Sequence, residues 1–307
     1  MSTPLTRSWL QKSILTTLQG FGSRWKDESD HDPYTYRALI IAGQHLGHVQ
    51  GYRATTLIDT LAELALPFQC SPQTIELLTE ETQLEPALNQ LALALRRKGL
   101  LPGWRNELHT LYSLEGLPLC HIERALFKAL GLRSQAIHVH AETTYGLIWL
   151  GVRSHTKHEN PGMLDNLTAG GVAAREPLLR SIERELFEEA GFQDLKALLD
   201  VPSVPGFVDL NEALTGHIEP RQWQESCITV SRPLANGWHH ETLVLCHLRL
   251  APWWTPGNQD GEVAGFELRQ PAQCIDALNR WAFTPDAALV TALALSGGLN
   301  KDWTDTC

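Results

Sequence analysis

The chain has 307 residues, 43% of them hydrophobic and 20% charged. That is enough apolar sequence for one or two buried cores, and the wrong composition for a disordered, collagen-like or coiled-coil chain. Thirty-five acids against 25 bases give a net charge of −10, which repels polyanions at long range, so nucleic-acid binding is not expected.

Leu10, Ile14, Leu15 and Leu18 stand at helical spacing between Leu5 and Leu18, with Gly20 and Gly22 beyond. Tyr36–Ile41 and His48–Tyr52 read as strands flanking a turn over Ala42–Gly47. Ala54–Leu66 and Leu84–Lys98 read as amphipathic helices; Arg96-Arg97-Lys98, the longest basic run, suits a helix C-terminus. A strand over Glu107–Ser113 turns at Glu115-Gly116, and a helix from Ile122 to Leu130 stops at Gly131. This α+β unit ends near residue 135. No Gly/Ser/Pro-rich linker follows, so the two halves are expected to pack together.

The second half opens with a strand over Ala136–Ala141 that continues into Tyr145–Arg153, then a loop at Pro161–Asp165 and a helix over Leu178–Ala190. Strands are expected at Ser226–Ser231, Glu241–Leu250 and Ala264–Arg269. Two helices close the chain, the last with Thr284 as N-cap, Pro285 at its first position and Gly297-Gly298 as its stop. The expected architecture is α+β: a small α+β domain over 1–135, then an α/β/α sandwich with a mixed sheet over 136–307.

The six cysteines are scattered without a C-x-x-C pair, which excludes a Cys-based zinc site or disulfide framework and fits a cytoplasmic location. Met1–Gln19 lacks the apolar core of a signal peptide, and no stretch reaches the ~18 apolar residues of a membrane span.

The informative segment is Gly170–Phe192, GGVAAREPLLRSIERELFEEAGF. On a helix Glu185, Glu188 and Glu189 fall at i, i+3 and i+4, so three carboxylates share one arc. Like charges at that spacing repel, and a hard divalent cation, Mg²⁺ or Mn²⁺, would relieve them while bridging to phosphate oxygens. Arg184 lies beside this arc, where it would pair with Glu176. Gly170 allows close backbone approach, and Gly191 suits the end of the helix.

The segment fits G-x5-E-x7-R-E-U-x-E-E-x-G-U, U being a bulky apolar residue, at Gly170, Glu176, Arg184, Glu185, Leu186, Glu188, Glu189, Gly191 and Phe192. On that pattern the chain resembles the Nudix hydrolases. Pro161-Gly162-Met163-Leu164-Asp165-Asn166-Leu167, Asn258-Gln259-Asp260-Gly261-Glu262-Val263, Gly103-Trp104-Arg105-Asn106-Glu107 and Ile122-Glu123-Arg124-Ala125 resemble the thiamine-pyrophosphokinase-related subfamily, whose members carry an uncharacterised domain before the Nudix module.

The resemblance implies metal-dependent hydrolysis of a small-molecule diphosphate by a monomer or homodimer. Thiamine diphosphate or its oxidised, damaged forms would be cut to the monophosphate and phosphate. ADP-ribose, NADH or another nucleoside diphosphate is the alternative substrate class, and a non-catalytic Nudix ligand sensor is the alternative role. In the family, Glu185, Glu188, Glu189 and the Ala169 carbonyl would hold Mg²⁺ or Mn²⁺. Glu262, with Asp260 in reserve, or Glu185 would accept the proton of the attacking water.

Arg105 and Arg153 are candidates for the terminal phosphate, and Trp104, Trp149 and Trp238 for stacking on an aromatic ligand. His138 and His140 share a strand face, which could suggest a metal. No third His or Cys stands at a recognisable spacing, so satisfied or surface histidines are expected.

Overall fold

The computed structural model describes residues 36–157, 159–199, 203–216, 220–234 and 237–298. The helix expected over Leu5–Leu18 lies outside them. Strand β1 (Tyr36–Ile41) turns tightly at Ala42-Gly43 into β2 (Gln44–Gln50). Both turn residues have positive φ, 50° and 71°, as a two-residue hairpin requires. The longer turn expected over Ala42–Gly47 is therefore corrected: pairing resumes at once, and the chain enters helix α1 (Gly51–Glu63) directly.

A second hairpin, β3 (Phe68–Cys70) with β4 (Thr74–Leu77), was not anticipated, because strands of three and four residues carry too few alternations to reveal a period. β4 runs parallel to β1 and completes a sheet of order β2-β1-β4-β3. Against it pack α1 and α2 (Glu81–Arg97). Leu84, Leu88, Leu91 and Leu95 of α2, at helical spacing, join Leu57, Leu61, Leu39, Ile41 and Ile75 in one core.

The hairpin β5 (Leu108–Tyr112) and β6 (Pro118–Glu123) follows, then α3 (Arg124–Leu130). The helix expected from Ile122 starts two residues later, because Ile122 and Glu123 are still paired with His109 and Leu108.

The second sheet has eight strands. Its path is β11 (Val208–Asp209), β13 (Gly237–Leu250), β7 (Ser134–Thr143), β8 (Ile148–Arg153) and β14 (Val263–Arg269). β9 (Leu164–Asp165) pairs with β8, β10 (Thr168–Gly171) with β7, and β12 (Cys227–Leu234) with β13. β13 runs parallel to β7, while β8 and β10 run antiparallel to β7.

Central β7 is buried on both faces. Ile137, Val139 and Ala141 meet Ile182, Leu186 and Ala190 of helix α4 (Leu178–Ala190), while Ala136 joins a separate core with Val290 and Leu293. Between α4 and β11 lies a 3-10 turn, Leu195–Ala197, and two short helices follow β11, α5 (Leu210–Ala213) and α6 (Pro220–Glu225). Helices α7 (Pro271–Asn279) and α8 (Pro285–Ser296) cover the face opposite α4. The result is the expected mixed α+β fold with a sheet sandwiched between helices.

The two sheets meet at a seam. Gln50 Nε2 donates to the Leu234 carbonyl at 2.6 Å, and the His48 ring stacks on Trp238 with centroids 4.7 Å apart. The Ala174 amide donates to the Leu108 carbonyl at 2.7 Å, which ties the β5–β6 hairpin to the loop before α4.

Candidate active site

Two stripes run along α4. Ile182, Leu186 and Ala190 form the apolar one; Ser181, Glu185 and Glu189, each one position earlier, form a second buried stripe rotated by about 100°. The apolar stripe anchors the helix on β7, so the acidic stripe is carried inward beside β10. Gly191 ends the helix at φ 66°, with its amide and that of Phe192 bonded to the Phe187 and Leu186 carbonyls.

Glu189 is 7% exposed, and its Oε2 accepts from Thr168 Oγ1 at 2.6 Å and from the Ala169 amide at 3.0 Å. Burial dominates all the same: with Glu185 and Asp165 nearby, it pushes the carboxyl up to about 8. Glu185 is pushed up to about 7, again chiefly by burial, against the opposing pull of Arg184. Gly170 lets the strand lie directly against the Glu185 carboxylate, which a side chain at that position would push aside. Glu188 is half-buried, its side chain 41% accessible.

Arg184 does pair with Glu176, through two contacts at 3.1 and 3.0 Å. It also reaches Glu185 Oε1 at 2.6 Å and Glu188 Oε2 at 3.3 Å. The guanidinium thus supplies the positive charge between two carboxylates expected to share an ion. Among the described residues, the converging sets of three ligand atoms are His140/Glu142/His247 and His239/Glu241/Asp286, not the three glutamates of α4.

Glu262 arrives from a loop docked on the end of α4, where the Gly257 and Gln259 amides donate to the Ala190 and Glu188 carbonyls. Its carboxylate pairs with Lys157 Nζ and lies 3.4 Å from Arg105 Nη1. Burial raises its proton affinity, but the two cations outweigh that and hold it below the usual range. Asp260 turns away from this role: its Oδ1 accepts the Glu262 amide at 2.8 Å.

A small cleft is lined by Gly151, Arg153, Asp165, Asn166, Glu189, Glu262 and Val263. Arg153 bonds Asp165 at 3.0 Å and the Glu159 carbonyl. Lys157 and Asp165 were missed as site residues. Lys157 sits on the loop after β8 and Asp165 on the two-residue strand β9, both too short of pattern for a period to mark them, although Asp165 stood within the subfamily-like stretch.

The tryptophans are placed for packing. Trp149 is 9% exposed in the α4-side core, and Trp104 packs on the first core beneath the Arg96 guanidinium, 4.5 Å from its ring. Trp238 belongs to the seam.

The donor set suits a hard divalent cation: carboxylate oxygens, two of them buried with anionic charge the protein does not fully compensate.

No protein-family model matches the chain. Among curated proteins, the Arabidopsis thaliana "Nudix hydrolase 24, chloroplastic" is 31% identical over 197 residues, covering 63% of this chain and 48% of that protein. The "Uncharacterized protein YJR142W" of Saccharomyces cerevisiae is 29% identical over 194 residues, covering 61% of this chain and 53% of its own length. The chain thus spans about half the length of the curated relatives it matches. A solved structure, DR0079 from Deinococcus radiodurans, overlaps 60% of this chain and 97% of its own, at 19% identity and a TM-score of 0.41, too loosely to bear on function. The plant relative supports the Nudix resemblance carried by Gly170–Phe192. Among the described residues, no helix is long and apolar enough to cross a membrane.

Proposed function

We propose that the protein is a Nudix-type hydrolase that cuts a diphosphate linkage with a divalent cation, Mg²⁺ or Mn²⁺. The observation that carries this is the meeting of two buried, proton-retaining glutamates, Glu185 and Glu189, with Glu262 and its cations Lys157 and Arg105. Glu185, Glu188, Glu189 and the Ala169 carbonyl would hold the cation, with Glu262 beside them. When bound, it supplies charge neutralisation at the phosphoryl oxygens and lowers the pKa of a bound water.

The chain's own residues do the rest. Lys157 and Arg105 lie on the side from which an anion approaches, and each can exchange its contact with Glu262 for a phosphate oxygen. Glu262, kept ionised, accepts the proton of the attacking water; Glu185, with its proton affinity near neutrality, is the second acceptor. Thr168 and the Ala169 amide fix the Glu189 carboxylate. Arg184 holds the loop before α4 through Glu176 and sets the rotamers of Glu185 and Glu188.

Within that reaction class we read the substrate as thiamine diphosphate or an oxidised form of it, yielding the monophosphate and phosphate. The support is the subfamily-like stretches at 103–107, 122–125, 161–167 and 258–263. The first includes Arg105, so on our division near residue 135 the first domain would contribute to the site.

The test is release of phosphate or monophosphate from thiamine diphosphate, its oxo forms, ADP-ribose and NADH, with and without Mg²⁺ or Mn²⁺. Metal-dependent turnover fastest on the thiamine compounds is expected. Preference for ADP-ribose or NADH would overturn the substrate. No turnover of any diphosphate would leave a ligand sensor in place of an enzyme.

A further inference from the structure

On the sheet face opposite α4, His140 and Glu142 of β7 lie two residues apart and share one side of the strand. His247 of β13 stands directly beside His140 in the parallel ladder. His140 Nε2 is 3.1 Å from Glu142 Oε1, and His247 Nε2 is 3.7 Å from the same oxygen. Around a tetrahedral zinc-type centre with bonds of about 2.0–2.1 Å, ligand atoms stand about 3.3–3.4 Å apart, so these separations bracket a coordination edge.

Both imidazoles are fully buried, with side-chain exposure of 0%. His247 Nε2 points at Glu142 without making a hydrogen bond, a costly arrangement for a buried polar atom. We propose that His140, Glu142 and His247 form a site for one first-row divalent ion of the zinc class, separate from the carboxylates of α4.

The surroundings supply what such a site needs. Desolvation lowers the proton affinity of His247, which keeps the ring neutral and able to ligate. Its Nδ1 lies 3.0 Å from Ser203 Oγ, so the hydroxyl can accept Nδ1–H and free Nε2 for the ion. The Val204 amide donates to the same Nδ1 at 3.2 Å, which without an ion leaves the ring proton on Nε2 facing Glu142; binding an ion there moves that proton to Nδ1 and costs the Val204 bond. Arg249 Nε faces the other carboxylate oxygen of Glu142 at 3.9 Å and leaves Oε1 to the ion. The side chain of Glu142 is 18% exposed, so the carboxylate is reached from solvent although both imidazoles are not.

The second converging set, His239/Glu241/Asp286, is different. It has one imidazole, and Asp286 is already paired with Arg232 at 2.8 Å and His239 at 3.1 Å. An ion at the first site would pin β7 to β13 and both to the segment that begins at Ser203. The site is independent of the reaction proposed above.

The test uses the full chain stripped with EDTA and titrated with Co²⁺ at neutral pH, read by visible d–d absorption, with Zn²⁺ then followed by thermal unfolding. One equivalent of Co²⁺ with the intense bands of low-coordinate, nitrogen-ligated cobalt is expected. A hundredfold excess of Zn²⁺ over its Kd should raise Tm by about 5 °C. Both signals should persist in the Glu185→Gln/Glu189→Gln double variant and vanish in Glu142→Gln and His247→Gln. Circular dichroism of Glu142→Gln, nearly isosteric, verifies its fold. The absence of stoichiometric bands in the unsubstituted chain overturns the site, as does their survival in Glu142→Gln or their loss in the α4 double variant.

Discussion

The Thr168 hydroxyl donates to Glu189 Oε2 over 2.6 Å, and this bond helps join β10 to the last turn of α4. With the Ala169 amide on the same oxygen, it orients a carboxyl that burial pushes up to about 8 despite both donors. Glu189→Gln keeps an oxygen for both donors and removes the charge. Phosphate release should fall by about 10²-fold or more while far-UV circular dichroism and Tm hold. Undiminished turnover would remove Glu189 from the metal-binding set.

The raised proton affinities of Glu185 and Glu189 make metal-free stability depend on pH. Between the ordinary carboxylate range and about 7 to 8, the folded chain retains protons that the unfolded chain has released. Stability therefore falls as pH rises through that window. Thermal unfolding in EDTA should show a declining Tm from about pH 5 to pH 8. Added Mg²⁺ should recover the loss most strongly at the alkaline end. A Tm that climbs across the window in EDTA contradicts the burial of these two carboxylates.

Lys157 is paired with Glu262 and only 17% exposed, on the approach to the cleft. Lys157→Ala should raise KM for the diphosphate by about tenfold, the equivalent of one lost phosphate contact, with a smaller change in kcat. Arg105→Ala should act in the same direction. Steady-state kinetics at two ionic strengths would check both, since the contribution weakens as salt screens the site. A kcat defect with unchanged KM would assign Lys157 to positioning Glu262.

Gly170→Ala forces a methyl group into the Glu185 carboxylate. The carboxylate, at the end of a flexible side chain, must swing aside and lose its contact with Arg184, and any residual overlap moves β10 off α4. Tm and turnover should both drop. Normal activity with unchanged Tm would show that the Glu185 carboxylate need not occupy the space beside Gly170.

The parts legible in the sequence are those whose signal is local. Helix α4 carries its two stripes and its acidic triplet within thirteen residues, with its stop, Gly191, immediately after, and each maps to one structural role. The close of α8 is equally local: Thr284 accepts the Ala287 amide, and Pro285 and Gly297 bound the helix. What could not be read depends on pairing at a distance. His247 becomes the neighbour of His140 through the parallel register of β13 on β7, and neither strand's own pattern specifies that register. Lys157 reaches Glu262 because one loop leaves β8 and another docks on α4. Arg184 pairs with Glu176 as its position suggests, and its further reach to Glu185 and Glu188 follows from side-chain length and rotamer, which spacing does not encode.

The seam has a consequence for how this polypeptide is inherited. The indole of Trp238 is roofed by an imidazole from the other sheet, and the cleft borrows a guanidinium, Arg105, from beyond the same boundary. Severing the backbone there would bare an aromatic ledge on one fragment and deprive the other of its partner cation. Recombination could then transmit the two halves only as a single cassette.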